Sequence, residues 1–151
     1  MSWIKKNWCG LSNLQEDYSE VQSRPNIMSE ADYDHLRHIG AHFWAVGSRT
    51  IAGAGKLNSD YDFLVLTRTR MPEEYGNIGY KTHDEDSHYD PSEGQFNSWR
   101  KGLTNLIATD DVEFCRRFLL ANSIAQSLRL LDRADRVTLF QAILYHNRPD
   151  Q

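Results

Sequence analysis

Hydrophobic and polar positions divide the chain into stretches of different period. Phe43-Trp44-Ala45-Val46 is an unbroken apolar run that stops at Gly47, the pattern of a short buried strand. Phe63-Leu64-Val65-Leu66 repeats it. From Phe96 to Lys101 apolar and polar residues alternate, Gly102 turns the chain, and Leu103–Ala108 follows, which predicts a β-hairpin. After Asp111 the period lengthens. Phe114, Phe118, Ala121, Ile124, Ala125, Leu128 and Leu131 recur at three- and four-residue spacing and predict a long helix with a wide core face. Arg116, Arg117 and Arg129 fall on its outer side as solvated charges. Asp132 opens a further helix with Val137, Phe140, Ile143 and Leu144 facing inward and Pro149 beyond its end.

Upstream, Ser29 is placed as the N-cap of a helix. Tyr33, Leu36 and Ile39 recur along it at helical spacing, and Gly40 sits where its C-terminal stop is expected. Residues 1–28 lack a clear period and read as an N-terminal arm ahead of a domain spanning 29–151, with Leu11, Leu14, Tyr18 and Val21 fitting a short helix weakly. Trp3 and Trp8 favour an arm packed over the domain's own core over an anchor for a partner. Met71-Pro72-Glu73-Glu74-Tyr75 begins a helical turn.

The 151 residues suffice for one domain with one sizeable core. A net charge of −4, from 17 basic and 21 acidic residues, argues against a general nucleic-acid coat protein. Cys9 and Cys115 are too few and too distant for a zinc motif or a disulfide framework. No stretch is long enough to span a membrane, and the N-terminus has no signal-peptide core, so a cytoplasmic location is expected.

The candidate chemistry lies between the two apolar strands. Gly47 permits a sharp turn and a ligand's close approach, and Ser48 offers a hydroxyl and an N–H to an anion such as phosphate. Asp60 and Asp62, two apart at the start of the second strand, fall on one face within reach of a shared divalent cation. Arg49 and Lys56 in the intervening loop, and Arg100 or Lys101 on the hairpin, are candidates to neutralise phosphate charge. The bland alternative is a common Gly-Ser turn followed by a solvated pair of aspartates. Gly55-Lys56 lacks the first glycine and the Ser/Thr of a Walker loop, which rejects that motif. His35 and His38 share a helical spacing but have no third ligand nearby. The stretch His83–Asp90, rich in acids with two histidines, reads as a solvated loop before a metal site, or as an acidic tongue facing a basic partner.

Gly47-Ser48, a short connection, then Ser59-Asp60-Tyr61-Asp62 before an apolar strand resembles the signature of the polymerase-beta-like nucleotidyltransferase superfamily. The remainder resembles small nucleotidyltransferase-like proteins encoded by bacteriophages. The resemblance implies an α+β fold, a mixed β-sheet with helices packed on one face, and a ligand site on the Gly47–Asp62 face. It implies that Gly47 and Ser48 contact nucleotide phosphates and that Asp60 and Asp62 bind catalytic Mg²⁺. Members of that superfamily usually carry a third carboxylate on the neighbouring strand, and the matching position here is Asn105. An amide can ligate through oxygen but cannot act as a general base near neutral pH. Asp110 and Asp111 read as a helix N-terminus.

Two functions follow as expectations. One is Mg²⁺-dependent transfer of a nucleoside monophosphate from a nucleoside triphosphate to a hydroxyl of a protein, a tRNA end or a small molecule, with a second subunit as one way to shape the acceptor site. A dimeric toxin–antitoxin component is not separable from it by sequence. The other is a catalytically impaired phage effector that binds and inhibits a host protein in the host cytoplasm.

Overall fold

A computed structural model describes residues 10–68, 72–82 and 96–145. Trp3, Trp8, Cys9, the 83–90 stretch and Pro149 lie outside the described residues. Helices α1 (Leu11–Asp17) and α2 (Glu30–His38) precede strand β1 (His42–Val46) and a 3-10 turn at Ser48–Thr50. Strand β2 (Tyr61–Leu66), α3 (Pro72–Gly76), β3 (Lys81–Thr82), β4 (Asn97–Lys101) and β5 (Thr104–Thr109) follow. Two helices, α4 (Val112–Leu128) and α5 (Arg133–Tyr145), close the chain.

The fold is α+β. The sheet runs β1-β2-β5-β4-β3 and is mixed, because β2 and β5 are parallel while the other neighbours are antiparallel. β2 and β5 lie inside, which explains why Phe63–Leu66 is apolar at every position: both of its faces are covered. β4 and β5 form the expected hairpin. Lys101 pairs with Thr104 across Gly102-Leu103, and Gly102 takes φ +60° at the first turn position, as a two-residue hairpin turn requires.

Alternation along the strands builds two cores. Trp44, Val46, Leu64 and Leu66 point to one face, where Leu14 of α1, Phe114, Cys115 and Leu119 of α4 and Leu144 of α5 cover them. Phe43, Phe63, Val65, Trp99 and Leu106 point to the other, against Leu36 of α2, Tyr75 of α3, Met28 and Tyr80. Each fully buried apolar side chain of this size stabilises by about 1.5–3 kcal/mol. Helices therefore lie on both faces rather than one. The two long helices cover their face as expected, and the short helix α2 with its stripe around Leu36 supplies the second cover. The Gly47–Asp62 region is consequently at one end of the sheet instead of on an open face.

Caps fall where the sequence placed them. Ser29 accepts from the Asp32 N–H at 3.1 Å, and Gly40 follows α2 at φ +74°. Asp111 caps α4, accepting from the N–H groups of Glu113 and Phe114 at 2.9 and 3.1 Å. The described part of the arm, residues 10–28, packs inward. The Val21 N–H donates to the Phe43 carbonyl along the β1 edge at 2.8 Å, and Leu14 and Met28 are buried in opposite cores.

The apolar face of the last two helices needs correction. Leu128, Leu131 and Val137 are 64%, 50% and 46% exposed. Helix α4 ends at Leu128 because Arg129 turns left-handed (φ +52°), so Leu131 leaves the helical register. Ala121 and Ala125 are buried there, Ala125 against Ile51 and Ala54, and beside them Asn122, Gln126 and Arg129 all bond to the segment after β1. Arg129 is thus engaged with the Ala52 carbonyl, Arg116 and Arg117 pair with Glu113, and Arg117 also donates to the Leu144 carbonyl. None of the three is simply solvated.

Candidate functional site

The Gly-Ser turn is held from below by α4. Gly47 has φ +85° and ψ −170°, a conformation essentially reserved to glycine. A Cβ there would also overlap the Asp62 carboxylate. The Gly47 N–H donates to Asn122 Oδ1 at 3.0 Å, and Asn122 Nδ2 donates to Thr50 Oγ1 at 3.2 Å. Thr50 Oγ1 in turn donates to the Gly47 carbonyl at 2.6 Å, Gln126 Nε2 to the Thr50 carbonyl at 3.0 Å, and Arg129 Nε to the Ala52 carbonyl at 3.0 Å. Three side chains at helical spacing thereby hold the loop 47–52 at Gly47, Thr50 and Ala52. Gly47 contributes shape to the site, because its N–H is already bonded; it does not offer that N–H to phosphate. Ser48 opens the 3-10 turn half-buried, and its carbonyl accepts from Ile51 at 3.0 Å, while its hydroxyl takes no part in this network.

Arg49 also differs from expectation. Its guanidinium donates to the Ser59 and Leu57 carbonyls at 3.0 and 2.9 Å and lies 3.8 Å from the centre of the Tyr61 ring. It clamps the loop that delivers Asp60, so its charge is committed to structure. Lys56 is exposed, and its backbone N–H donates to Ser59 Oγ at 2.9 Å. Lys101 likewise belongs to the core side. Its ammonium bonds the buried Asp32 carboxylate at 3.1 Å and the Ile78 carbonyl at 2.9 Å. Burial, followed by the nearby Asp32 charge and a hydrogen bond to that carboxylate, pushes the Tyr80 hydroxyl well above its ordinary pKa.

Register gathers the remaining candidates. Val46 pairs with Asp62, Asp62 with Asn105, Asn105 with Arg100, and Arg100 with Lys81, one row across all five strands. Cross-strand partners share a face, so the row presents a carboxylate, an amide and two cations side by side. Asn105 Nδ2 donates to Asp62 Oδ1 at 3.1 Å. Asp60, immediately before β2, is ion-paired with Arg100. Asn105 Oδ1 and Arg100 Nε are buried without a hydrogen-bond partner. Asp62 also belongs to the lining of a cleft of about 780 Å³ between β1–β2 and residues 21–27, with Ser23, Asn26, Ala45, Arg49 and Tyr61. Of its strand residues, Ala45, Tyr61 and Phe63 alternate onto the face opposite the row, while Val46 and Asp62 belong to both.

No family model, curated protein or solved structure matches this chain.

Among the described residues no three His, Cys, Asp or Glu side chains gather as a metal site. His35 donates from Nε2 to the Glu74 carbonyl at 2.6 Å and His38 is exposed, so they form no ligand pair. What the site offers a cation is two carboxylates and one orphaned amide oxygen. That set fits Mg²⁺, which is commonly held by one or two carboxylates with substrate phosphates and water. If the Asn105 amide were flipped, its oxygen would face the Asp62 carboxylate, an arrangement that a cation between them would favour.

Sequence reasoning found Gly47, Ser48, Asp60, Asp62, Asn105 and Arg100, and these are close in space or linked by register. It missed Asn122, Gln126 and Lys81. A signal for Asn122 existed: it is the one polar residue in Ala121–Ala125 whose neighbours at helical spacing are buried. Lys81 had none, because β3 is two residues long.

Proposed function

We propose that this chain is a nucleotidyltransferase-like protein that binds a nucleoside triphosphate with Mg²⁺ and is impaired in transferring it, so that its output is binding. The observation that carries this reading is Asn105 directly opposite Asp62, its amide on the carboxylate at 3.1 Å. An amide at that position keeps a possible cation ligand and removes a general base, a loss typically worth 10²–10⁴-fold in rate.

Asp60 and Asp62 would hold the cation, with the Asn105 oxygen as a neutral third donor. When bound, Mg²⁺ would neutralise charge developing on the α-phosphate. The chain's own residues orient the ligand. Gly47 leaves room beside Asp62, the Ser48 hydroxyl donates to a phosphate oxygen, and Arg100 and Lys81 flank the row with positive charge. The 780 Å³ cleft is large enough for a nucleoside. A partner protein inhibited by this scaffold is the corresponding biological role.

Transfer to an acceptor hydroxyl is the second reading, favoured by the retained Asp60–Asp62 pair. It requires the acceptor side to supply the missing base. Titration of the folded protein with each of the four Mg²⁺–nucleoside triphosphates tests the common ground. Binding by wild type that disappears in Asp60→Ala/Asp62→Ala supports the site. Absence of binding by folded wild type overturns it. A labelled adduct on a protein, RNA or small molecule in lysate would select transfer over binding.

A further inference from the structure

We propose that Arg100 is a charge latch on the metal site: it occupies Asp60 until a triphosphate draws its guanidinium away, and this couples cation binding to nucleotide binding. The inference rests on the reading of Asp60 as a cation ligand and adds how access to that ligand is controlled.

Three observations carry it. Arg100 and Asp60 form an ion pair in which both side chains keep partial solvent contact, at 40% and 29% exposure. Such a pair is of modest strength and can be exchanged. Arg100 Nε is buried with no partner, so the guanidinium has donor capacity that Asp60 does not use. Lys81 is the cross-strand neighbour of Arg100, on the side away from the carboxylates. A polyanion arriving over Arg100 and Lys81 therefore meets two cations and can take hydrogen bonds that Arg100 leaves unmade, and a guanidinium fork suits phosphate oxygens.

The consequence is an order of events. A divalent cation alone must compete with a fixed positive charge for Asp60, while Asp62 is shared with the Asn105 amide. It binds weakly. With the triphosphate present, Arg100 moves to phosphate, Asp60 becomes available, and phosphate oxygens complete the cation's shell. Cation and nucleotide then raise each other's affinity by the same factor.

The test uses Mn²⁺ as the probe, followed by electron paramagnetic resonance on the full-length protein without nucleotide. Arg100→Gln is expected to tighten Mn²⁺ binding by about two- to fivefold, the scale of removing one partly exposed ion-pair partner. The gain should vanish in Arg100→Gln/Asp60→Ala, and Arg100→Lys, which keeps the charge, should stay near wild type. Circular dichroism melts establish that the variants are folded. Unchanged or weaker Mn²⁺ binding by folded Arg100→Gln, or a gain that survives loss of Asp60, overturns the latch. ATP binding then separates the two claims. If wild type binds no ATP with Mg²⁺, the nucleotide reading fails, while the Mn²⁺ series still decides whether Arg100 guards Asp60.

Discussion

Single side chains decide what this site can do, and Asn105 is the foremost of them. Its Nδ2 spares Asp62 a repulsive neighbour, because a carboxylate at the same register position would face another one across 3.1 Å. Asn105→Asp is therefore expected to destabilise the protein by about 1–3 kcal/mol in chelator, through a lost hydrogen bond and like-charge repulsion. Millimolar Mg²⁺ should restore much of that loss, whereas wild type should respond less. Thermal melts with and without Mg²⁺ check this, and an equal response of the two proteins would contradict it. Gly47 is the second such position. Gly47→Ala combines a disallowed backbone region with overlap of the Asp62 carboxylate. Its expected cost is at least the roughly 1–3 kcal/mol of a strained residue, with loss of nucleotide binding even where the fold survives.

At the scale of elements, α4 serves both as a core helix and as a scaffold for the Gly-Ser turn. Its N-terminal half buries Phe114, Cys115 and Leu119 against the sheet, and its C-terminal half bonds residues 47–52 through Asn122, Gln126 and Arg129. Asn122→Ala removes the partner of the Gly47 N–H and one of the two bonds of the Thr50 hydroxyl, which keeps the Gly47 carbonyl. It should cost about 1–3 kcal/mol by leaving buried polar groups unmatched, and should loosen the turn. Urea unfolding and amide hydrogen exchange at 47–50 report the two effects. Faster exchange confined to that loop is the expected signature. The strands, the hairpin and the caps were legible in sequence because each depends on a local rule: an apolar run ending at glycine, a Gly at a turn, a Ser or Asp at an N-cap. The inward face of α4 was only half legible. Periodicity identifies Ala121 and Ala125 as inward, and Ala125 does pack on Ile51 and Ala54, but it does not reveal that Asn122, Gln126 and Arg129 bond the loop after β1.

For the whole molecule, the central fact is a mixed sheet with a core on each face and a polar row at one end. The second core was not read from the sequence, because α2 is short and its partners on the strands are visible only once β2 and β5 are known to lie inside. The row from Val46 to Lys81 exists only through registers of strands distant in sequence, so Asp60, Asp62 and Asn105 were recognisable by motif and position while Lys81 was not. Packing of the arm is a property of this scale too. Leu14→Ala should cost about 2–5 kcal/mol, since Leu14 is buried between α1 and the sheet, and the urea midpoint measures it. Cys115 sits in the same core, and its thiol is pushed far up by burial and then by Asp111. In a Cys9→Ser background it should resist thiol reagents in the native state and react on unfolding.

On the proposed reading, Asn105 withholds catalysis from an otherwise ligand-competent site. The most direct test of that reading is the rate of α-labelled triphosphate turnover, with Mg²⁺, by wild type and by Asn105→Asp under identical conditions. We expect negligible turnover by wild type and a rate raised about 10²-fold or more in the variant. Equal rates in the two folded proteins, both measurable or both absent, would contradict it.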